Sequence, residues 1–159
     1  MKIYKIGIIG CGGIAQKMAA TLEKMKGVER YAVASRNQEK AEAFANKWGF
    51  TKAYGSYEEL ASDPEVDLIY IATPHAMHYD NAHMCIEKGK PVLCEKAFTA
   101  NARQAEELLA FAKEKGVFIT EAIWTRYMPL SLKIQELLKE GVIGTPYTLS
   151  ANLSYPISN

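Results

Sequence analysis

Small residues near the start of the chain are spaced like a phosphate-binding turn. Gly10, Gly12 and Ala15 fit the pattern G-x-G-x-x-G/A after an apolar segment, Ile6–Ile9, that suits a buried parallel strand. Gly10 permits a tight turn, Gly12 has no Cβ to hold off a pyrophosphate, and Ala15 allows close helix packing. The alternative is an ordinary strand–helix turn. The pattern predicts dinucleotide contacts from Gly10, Cys11, Gly12, Gly13, Ile14 and Ala15.

The end of the second predicted strand indicates which dinucleotide is bound. An NAD site usually has Asp or Glu about 20 residues after the glycine turn, whereas this chain has Ser35 and Arg36. A carboxylate would repel a ribose 2′-phosphate, and a hydroxyl with a guanidinium would bind it through charge-assisted hydrogen bonds. We therefore expect NADP, with NAD possible. The alternative is that Arg36 is a solvated surface charge.

A third chemical group follows the fifth predicted strand. Glu95 and Lys96 stand where that strand ends, and ligands of such sheets bind beyond the carboxyl ends of the strands. An ammonium there can hydrogen-bond a substrate oxygen, relay its proton and stabilise alkoxide character as hydride leaves carbon. Position alone is equally consistent with a lysine that extends to water.

The elements that would position these groups alternate between strand and helix. Strands are predicted at the N-terminus and at residues 28–35, 52–54, 67–72, 91–95 and 117–121, and helices at residues 14–25, 38–48, 56–61, 77–88 and 102–115. This alternation predicts an α/β fold with a doubly wound parallel sheet and right-handed crossovers, a Rossmann domain over residues 1–122.

The pattern changes after Glu121. A helix is predicted over 130–139, and residues 147–155 alternate like a strand with one wet face. We interpret residues 123–159 as a linker helix and the first strand of a second α/β domain that is otherwise missing.

Composition bounds the possible partners. The 159 residues are 48% hydrophobic and 23% charged, with 19 Lys and Arg against 18 Asp and Glu, which favours neither nucleic acid nor a membrane as partner. No apolar run approaches the roughly 20 residues that span a bilayer, and no signal peptide is evident. Three cysteines without C-x-x-C spacing indicate reduced thiols in a cytoplasmic protein.

The histidines and the cysteine of the glycine turn are predicted to have no metal-binding or thiol chemistry. His75, His78 and His83 are spaced three and five residues apart, which is a poor metal-binding set, so we expect no metal. Cys11 has no adjacent base, and we expect a small residue beside a phosphate rather than a reactive thiol.

Longer motifs lie at the ends of the predicted strands. They are the glycine turn, Ala34-Ser35-Arg36, residues 53–60, Ile71-Ala72-Thr73-Pro74-His75-x-x-His78 and Cys94-Glu95-Lys96. With these motifs the chain resembles the glucose-fructose oxidoreductase/inositol dehydrogenase family (Gfo/Idh/MocA). Residues 121–126 make it similar to the branch of dimeric dihydrodiol dehydrogenases and NADP-linked D-xylose dehydrogenases.

The resemblance implies a two-domain NAD(P)-dependent dehydrogenase of CH–OH groups, acting on a sugar, polyol or cyclic diol. Its second domain would supply the substrate pocket and the homo-oligomer interface, so we expect the fragment alone to be inactive. The resemblance places Lys96 near the reacting carbon. It places further cofactor contacts at Thr73, Pro74, His78, Glu95, Trp124 and Arg126. An interdomain packing pair is the alternative for Trp124 and Arg126, and a helix-entry charge is the alternative for Glu95.

One departure from the family concerns Lys96. The family pattern is Glu-Lys-Pro, whereas this chain has Ala97. Proline would restrict the backbone of the residue before it, so the sequence with Ala97 does not by itself fix the placement of Lys96.

The alternative to a dehydrogenase is a non-catalytic NADP-binding module that senses redox state.

Overall fold

The computed structural model describes residues 2–152 and 154, and the chain divides into two compact units after Ala122. The strands of the first unit are β1 (Tyr4–Ile9), β2 (Val28–Ala34), β3 (Lys52–Tyr54), β4 (Leu68–Ile71), β5 (Val92–Cys94) and β6 (Ile119–Glu121). Its helices are α1 (Gly13–Lys24), α2 (Gln38–Trp48), α3 (Tyr57–Ser62), α4 (His78–Glu87) and α5 (Ala102–Lys115). A short 3-10 helix, His75–Met77, precedes α4.

The six strands form one sheet in the order β3-β2-β1-β4-β5-β6, and every neighbouring pair is parallel. This topology confirms the predicted doubly wound Rossmann fold. The chain reverses direction of winding between β1 and β4, and the carboxyl ends of these two strands frame the crevice where such sheets bind ligands.

Apolar clusters cover both faces of the sheet. Along β4, Ile69 and Ile71 belong to one cluster and Tyr70 to the other, because successive side chains of a strand point to opposite faces. Ile8 and Ile9 divide between the clusters in the same way. Burial on both faces explains why these strands are continuous apolar runs.

Side-chain caps fix where three helices begin. Asn37 accepts a hydrogen bond from the Lys40 N–H, Ser56 from the Glu59 N–H, and Asn101 from the Gln104 N–H. Each cap satisfies an N–H group that has no partner inside the helix.

The second unit contains a 3-10 helix, Trp124–Tyr127, and α6 (Pro129–Lys139). The predicted strand over 147–155 is wrong for the part that is described, because residues 147–152 and 154 belong to no strand. Leu153 and Tyr155 lie outside the described residues. A strand needs a neighbour for its hydrogen bonds, and the described part of this unit has none to offer.

The helices differ in length, but none within the described residues is long and apolar enough to cross a membrane.

Candidate functional site

The turn after β1 lies against the ends of both neighbouring strands. The Gly10 N–H donates to the Ala34 carbonyl of β2 at 2.9 Å. Gly10 has φ +100°, and a Cβ there would stand 2.8 Å from the carbonyl oxygen of Ala72. Any other residue would be strained and would collide with the backbone after β4. Gly10 therefore lets the chain leave the sheet between β1 and β4, where the direction of winding reverses.

The next two glycines face open space. A Cβ on Gly12 or Gly13 would meet no atom within 4 Å, so neither glycine is needed for packing inside this chain. Gly12 is the N-cap residue of α1 and provides no side-chain cap, while Ala15 in the first turn is fully buried. The first N–H groups of α1 have no side-chain cap and lie beside this open space at the positive end of the helix dipole, an arrangement that can receive a phosphate.

Cys11 lies in the same turn and is half-buried, with its thiol 3.8 Å from the Ala34 carbonyl oxygen. Burial raises the pKa of this thiol, and the charge of Lys40 opposes that effect. A thiol held protonated is a poor nucleophile, which agrees with the expected inert role.

The end of β2 carries the groups expected to read the 2′-phosphate. Ser35 is buried and its hydroxyl accepts a hydrogen bond from the Asn37 N–H at 3.3 Å. Arg36 is exposed and makes no ion pair with any described residue. Its guanidinium is therefore available to an external anion.

Lys40 is a further candidate for the cofactor site that the sequence analysis did not identify. It occupies the first turn of α2, and its charge acts on the Cys11 thiol, so it lies in the neighbourhood of the glycine turn. A lysine at the third helical position after Ser35-Arg36 was the available signal, because the first turn of a helix after a strand faces the ligand-binding edge of the sheet.

His78 is fully buried and ties two loops together. Its Nε2 lies 2.9 Å from the Thr73 carbonyl oxygen, and its Nδ1 lies 2.7 Å from the Ala97 carbonyl oxygen. This placement does not indicate a direct contact between His78 and the cofactor. Thr73 is also buried, and its hydroxyl accepts from the Asn81 amide at 3.0 Å. Pro74 follows on the surface.

Glu95 and Lys96 leave β5 in different environments. The Glu95 carboxylate is buried, and it accepts hydrogen bonds from the Tyr70 hydroxyl and from the Lys96 N–H. Burial and the Glu95 carboxylate raise the pKa of Tyr70 far above its usual value, so the hydroxyl stays a donor. Lys96 is exposed.

The turn that carries Lys96 is anchored by side chains. Glu95 binds the Lys96 N–H, His78 binds the Ala97 carbonyl, and Glu121 accepts from the Phe98 N–H at 2.9 Å. The Lys96–Ala97 peptide bond is cis. Three consecutive residues thus have a backbone group held in place, which supplies restraint that Ala97 itself does not.

Residues from the first turn of α1 and from the ends of β4 and β5 meet in one small pocket of about 130 Å³. It is lined by Ile14, Thr73, His75, Glu95 and Lys96. The pocket joins the first turn of α1 to the ends of β4 and β5. A group bound by the glycine turn can therefore extend toward the Lys96 ammonium.

The remaining predicted residues lie apart from this pocket or in the other unit. Trp124 and Arg126 belong to the second unit, where Trp124 is 61% exposed, and their contact with the cofactor stays a prediction. His83 stacks on Phe111 with ring centroids 4.2 Å apart, which is a packing role. Across the described residues, His, Cys, Asp and Glu side chains form no group of three that could hold a metal ion.

The fold and the open glycine turn define the class of protein, a Rossmann domain with a dinucleotide crevice. The particular family follows from the sequence. Residues 4–122 match the Gfo/Idh/MocA family, described as an oxidoreductase family with an NAD-binding Rossmann fold. The chain belongs to this family.

Curated relatives are dehydrogenases. The chain is 46% identical over 162 residues to the D-xylose 1-dehydrogenase (NADP(+)) of Hypocrea jecorina, covering 94% of this chain and 41% of the relative. It is 41% identical over 155 residues to the trans-1,2-dihydrobenzene-1,2-diol dehydrogenase of Mus musculus, covering 96% and 46%. The chain thus spans less than half the length of these relatives.

Solved structures show the same architecture. An NAD-binding oxidoreductase from Klebsiella pneumoniae superposes with a TM-score of 0.86 at 35% identity, covering 91% of this chain and 40% of that one. A 3-ketoreductase from Actinomadura kijaniata in complex with TDP-benzene and NADP gives a TM-score of 0.82 at 32% identity, covering 90% and 45%.

Proposed function

We propose that this chain is the NADP-binding part of a dehydrogenase that transfers hydride between the nicotinamide and a carbon bearing a hydroxyl or carbonyl. The substrate would be a sugar, a polyol or a cyclic diol. The observation that carries the proposal is the pocket in which Lys96 and Glu95 meet the first turn of α1. A dinucleotide on the glycine turn would reach this pocket with its nicotinamide end.

The residues present fit NADP. The α1 N-terminus with Gly12 and Gly13 would bind the pyrophosphate, because its first N–H groups have no side-chain cap and no atom would crowd the two glycines. Ser35, Arg36 and Lys40 would bind the 2′-phosphate. The name of the xylose dehydrogenase and the NADP bound to the ketoreductase support this choice.

Lys96 would act on the substrate oxygen. The bound cofactor supplies a hydride acceptor or donor, and a group of the protein must accept or donate the proton. The exposed ammonium of Lys96 would hydrogen-bond the hydroxyl or carbonyl oxygen of the substrate. It would move a proton to or from that oxygen as charge develops on it. The anchored turn fixes the backbone from which Lys96 extends.

Residues 123–159 are proposed to begin a substrate and oligomerisation domain. The support is the length of the relatives and the many exposed apolar side chains of α6, among them Leu130, Leu132 and Ile134. The full-length form would be a homo-oligomer. A cytoplasmic location is proposed as well, since Cys11, Cys85 and Cys94 are all free thiols.

The test is an activity screen of the chain extended to the length of its relatives. Aldoses, polyols and trans-dihydrodiols are offered with NADP⁺ at several pH values. Reduction of NADP⁺ with any of them, at a rate above that of the chain alone, is the expected result. Tight NADP⁺ binding without turnover of any substrate would instead favour a redox-sensing module.

A further inference from the structure

Tyr70 is a buried tyrosine that the proposed chemistry does not use. It lies in the middle of β4 and is 2% exposed. Its ring packs in the apolar cluster that also contains Ile8 and Val33. Its hydroxyl leaves that cluster and donates to one oxygen of the Glu95 carboxylate.

The sheet register explains how Tyr70 reaches Glu95. Tyr70 is paired with Leu93 of β5, and the Glu95 N–H donates to the Ile71 carbonyl at 3.0 Å. Glu95 is two residues beyond Leu93, so both side chains lie on the face of the sheet that Tyr70 occupies. A diagonal pair of this kind is within reach of a long aromatic side chain.

The hydrogen bond fixes a carboxylate that lines the pocket. The second Glu95 oxygen accepts from the Lys96 N–H at 3.2 Å. With one oxygen bound by Tyr70 and the other by the backbone of Lys96, the carboxylate has one orientation. A buried carboxylate that lost one of these donors would be free to turn, and its remaining oxygen would lack a partner.

We infer that Tyr70 is a positioning residue for the nicotinamide end of the cofactor, and that it acts through Glu95. Tyr70 holds the carboxylate so that it presents a fixed acceptor to the ribose next to the nicotinamide. This inference rests on the proposed NADP site. It predicts an effect confined to one half of the dinucleotide.

The experiment compares two probes on the purified chain. NADP⁺ spans the whole crevice, whereas 2′,5′-ADP lacks the nicotinamide half and reaches only the adenosine end. Tyr70→Phe keeps the ring and removes the donor. We expect the Kd for NADP⁺ to rise about three- to tenfold, the range for one lost hydrogen-bond donor, and the Kd for 2′,5′-ADP to stay within about twofold.

Two controls make the test specific. Tyr31→Phe alters another buried tyrosine, on β2, and it should leave both Kd values unchanged. Glu95→Gln should weaken NADP⁺ binding by itself, and adding Tyr70→Phe to it should cost little more, because the two residues act as one unit.

The outcomes separate the inference from the proposed function. Equal weakening of both probes by Tyr70→Phe, no weakening of either, or full additivity with Glu95→Gln would each overturn the role of Tyr70. Failure of the unaltered chain to bind 2′,5′-ADP would overturn the NADP site, and the inference with it.

Discussion

Arg36 is an exposed cation without an ion-pair partner among the described residues, beside the end of β2. We expect Arg36→Ala to raise the Kd for NADP⁺ about tenfold, since charged hydrogen bonds contribute roughly 1.5–3 kcal/mol and exposure reduces that. The Kd for NAD⁺ should not change. Titration calorimetry with both cofactors measures the ratio.

Arg103 offers the matched control for that prediction. It is an exposed arginine on α5 that, among the described residues, forms an ion pair with Glu107 alone, so Arg103→Ala should not change the ratio of the two Kd values. An unchanged ratio in Arg36→Ala, or tighter NAD⁺ binding by the unaltered chain, would contradict the 2′-phosphate role.

Lys96 is expected to dominate turnover. In the chain extended to the length of its relatives, Lys96→Met should lower kcat by about a hundredfold or more, the usual contribution of a general acid–base group. The Kd for NADP⁺ should change little, because the phosphates bind elsewhere. Lys88→Met, an exposed lysine on the surface near Glu58, should keep full activity. Unchanged kcat in Lys96→Met would refute the catalytic role.

At this scale the sequence identified residues by position and missed their partners. Ser35, Thr73 and Glu95 were predicted as site residues because each stands at or just beyond the end of a strand, and parallel strands end at the same edge. The inward role of His78 was missed. Its carbonyl partners belong to Thr73 and Ala97, five and nineteen residues away, and only the fold brings them together.

Among the elements, α3 and β3 are joined by a buried aspartate. Asp63 is the C-cap residue after α3 and accepts hydrogen bonds from the Tyr54 hydroxyl at 2.6 Å, the Lys52 ammonium at 2.9 Å and the Glu65 N–H at 2.9 Å. Burial alone would raise the pKa of this carboxyl, but these donors outweigh burial and hold the pKa well below its usual range. In the sequence, Asp63-Pro64 indicates a turn but does not indicate these hydrogen-bond partners.

The lowered pKa of Asp63 predicts how the free energy of unfolding depends on pH. A carboxyl whose pKa is lower in the folded state stabilises the fold above its unfolded pKa of about 3.9, and this stabilisation is lost as pH falls. Asp63→Asn should lower the free energy of unfolding at pH 7 by about 1–3 kcal/mol. The difference from the unaltered chain should shrink below about pH 4.

Urea unfolding at a series of pH values measures that difference. Asp80→Asn, which alters an exposed aspartate on α4, should show a much smaller change. A difference for Asp63→Asn that stays constant from neutral pH into the acid range would contradict the ionic role of Asp63.

Elements were predictable where their signals are local. The bounds of α2, α5 and β3 were predicted to the residue, because caps, glycine stops and apolar spacing lie within the segment itself. The strand predicted over 147–155 is wrong for its described residues, 147–152 and 154, for the opposite reason. Alternation shows that a segment suits a sheet, but a strand exists only where a neighbour completes its hydrogen bonds.

For the whole molecule, the sequence predicted the class of fold without the order of its strands. Alternating strands and helices favour parallel pairing and right-handed crossovers, but the position of β3 at one edge and β6 at the other is a property of the sheet. The two units of the chain are consistent with relatives more than twice its length. The crevice is proposed to select the cofactor rather than the substrate.

Cys11 in the glycine turn can report whether the turn is occupied by the cofactor. Cys11 is half-buried, whereas Cys85 and Cys94 are fully buried. N-ethylmaleimide should therefore modify one thiol of the native chain, slowly because burial raises the pKa of Cys11. Saturating NADP⁺ should slow the reaction further by covering the turn.

Mass spectrometry of the labelled chain checks this, with Cys11→Ser as the control that should take up no label. Labelling at the same rate with and without NADP⁺ would show that the occupant leaves Cys11 uncovered. If protection is seen, the rate of alkylation measures cofactor binding in the unmodified sequence, with no added dye and no substrate.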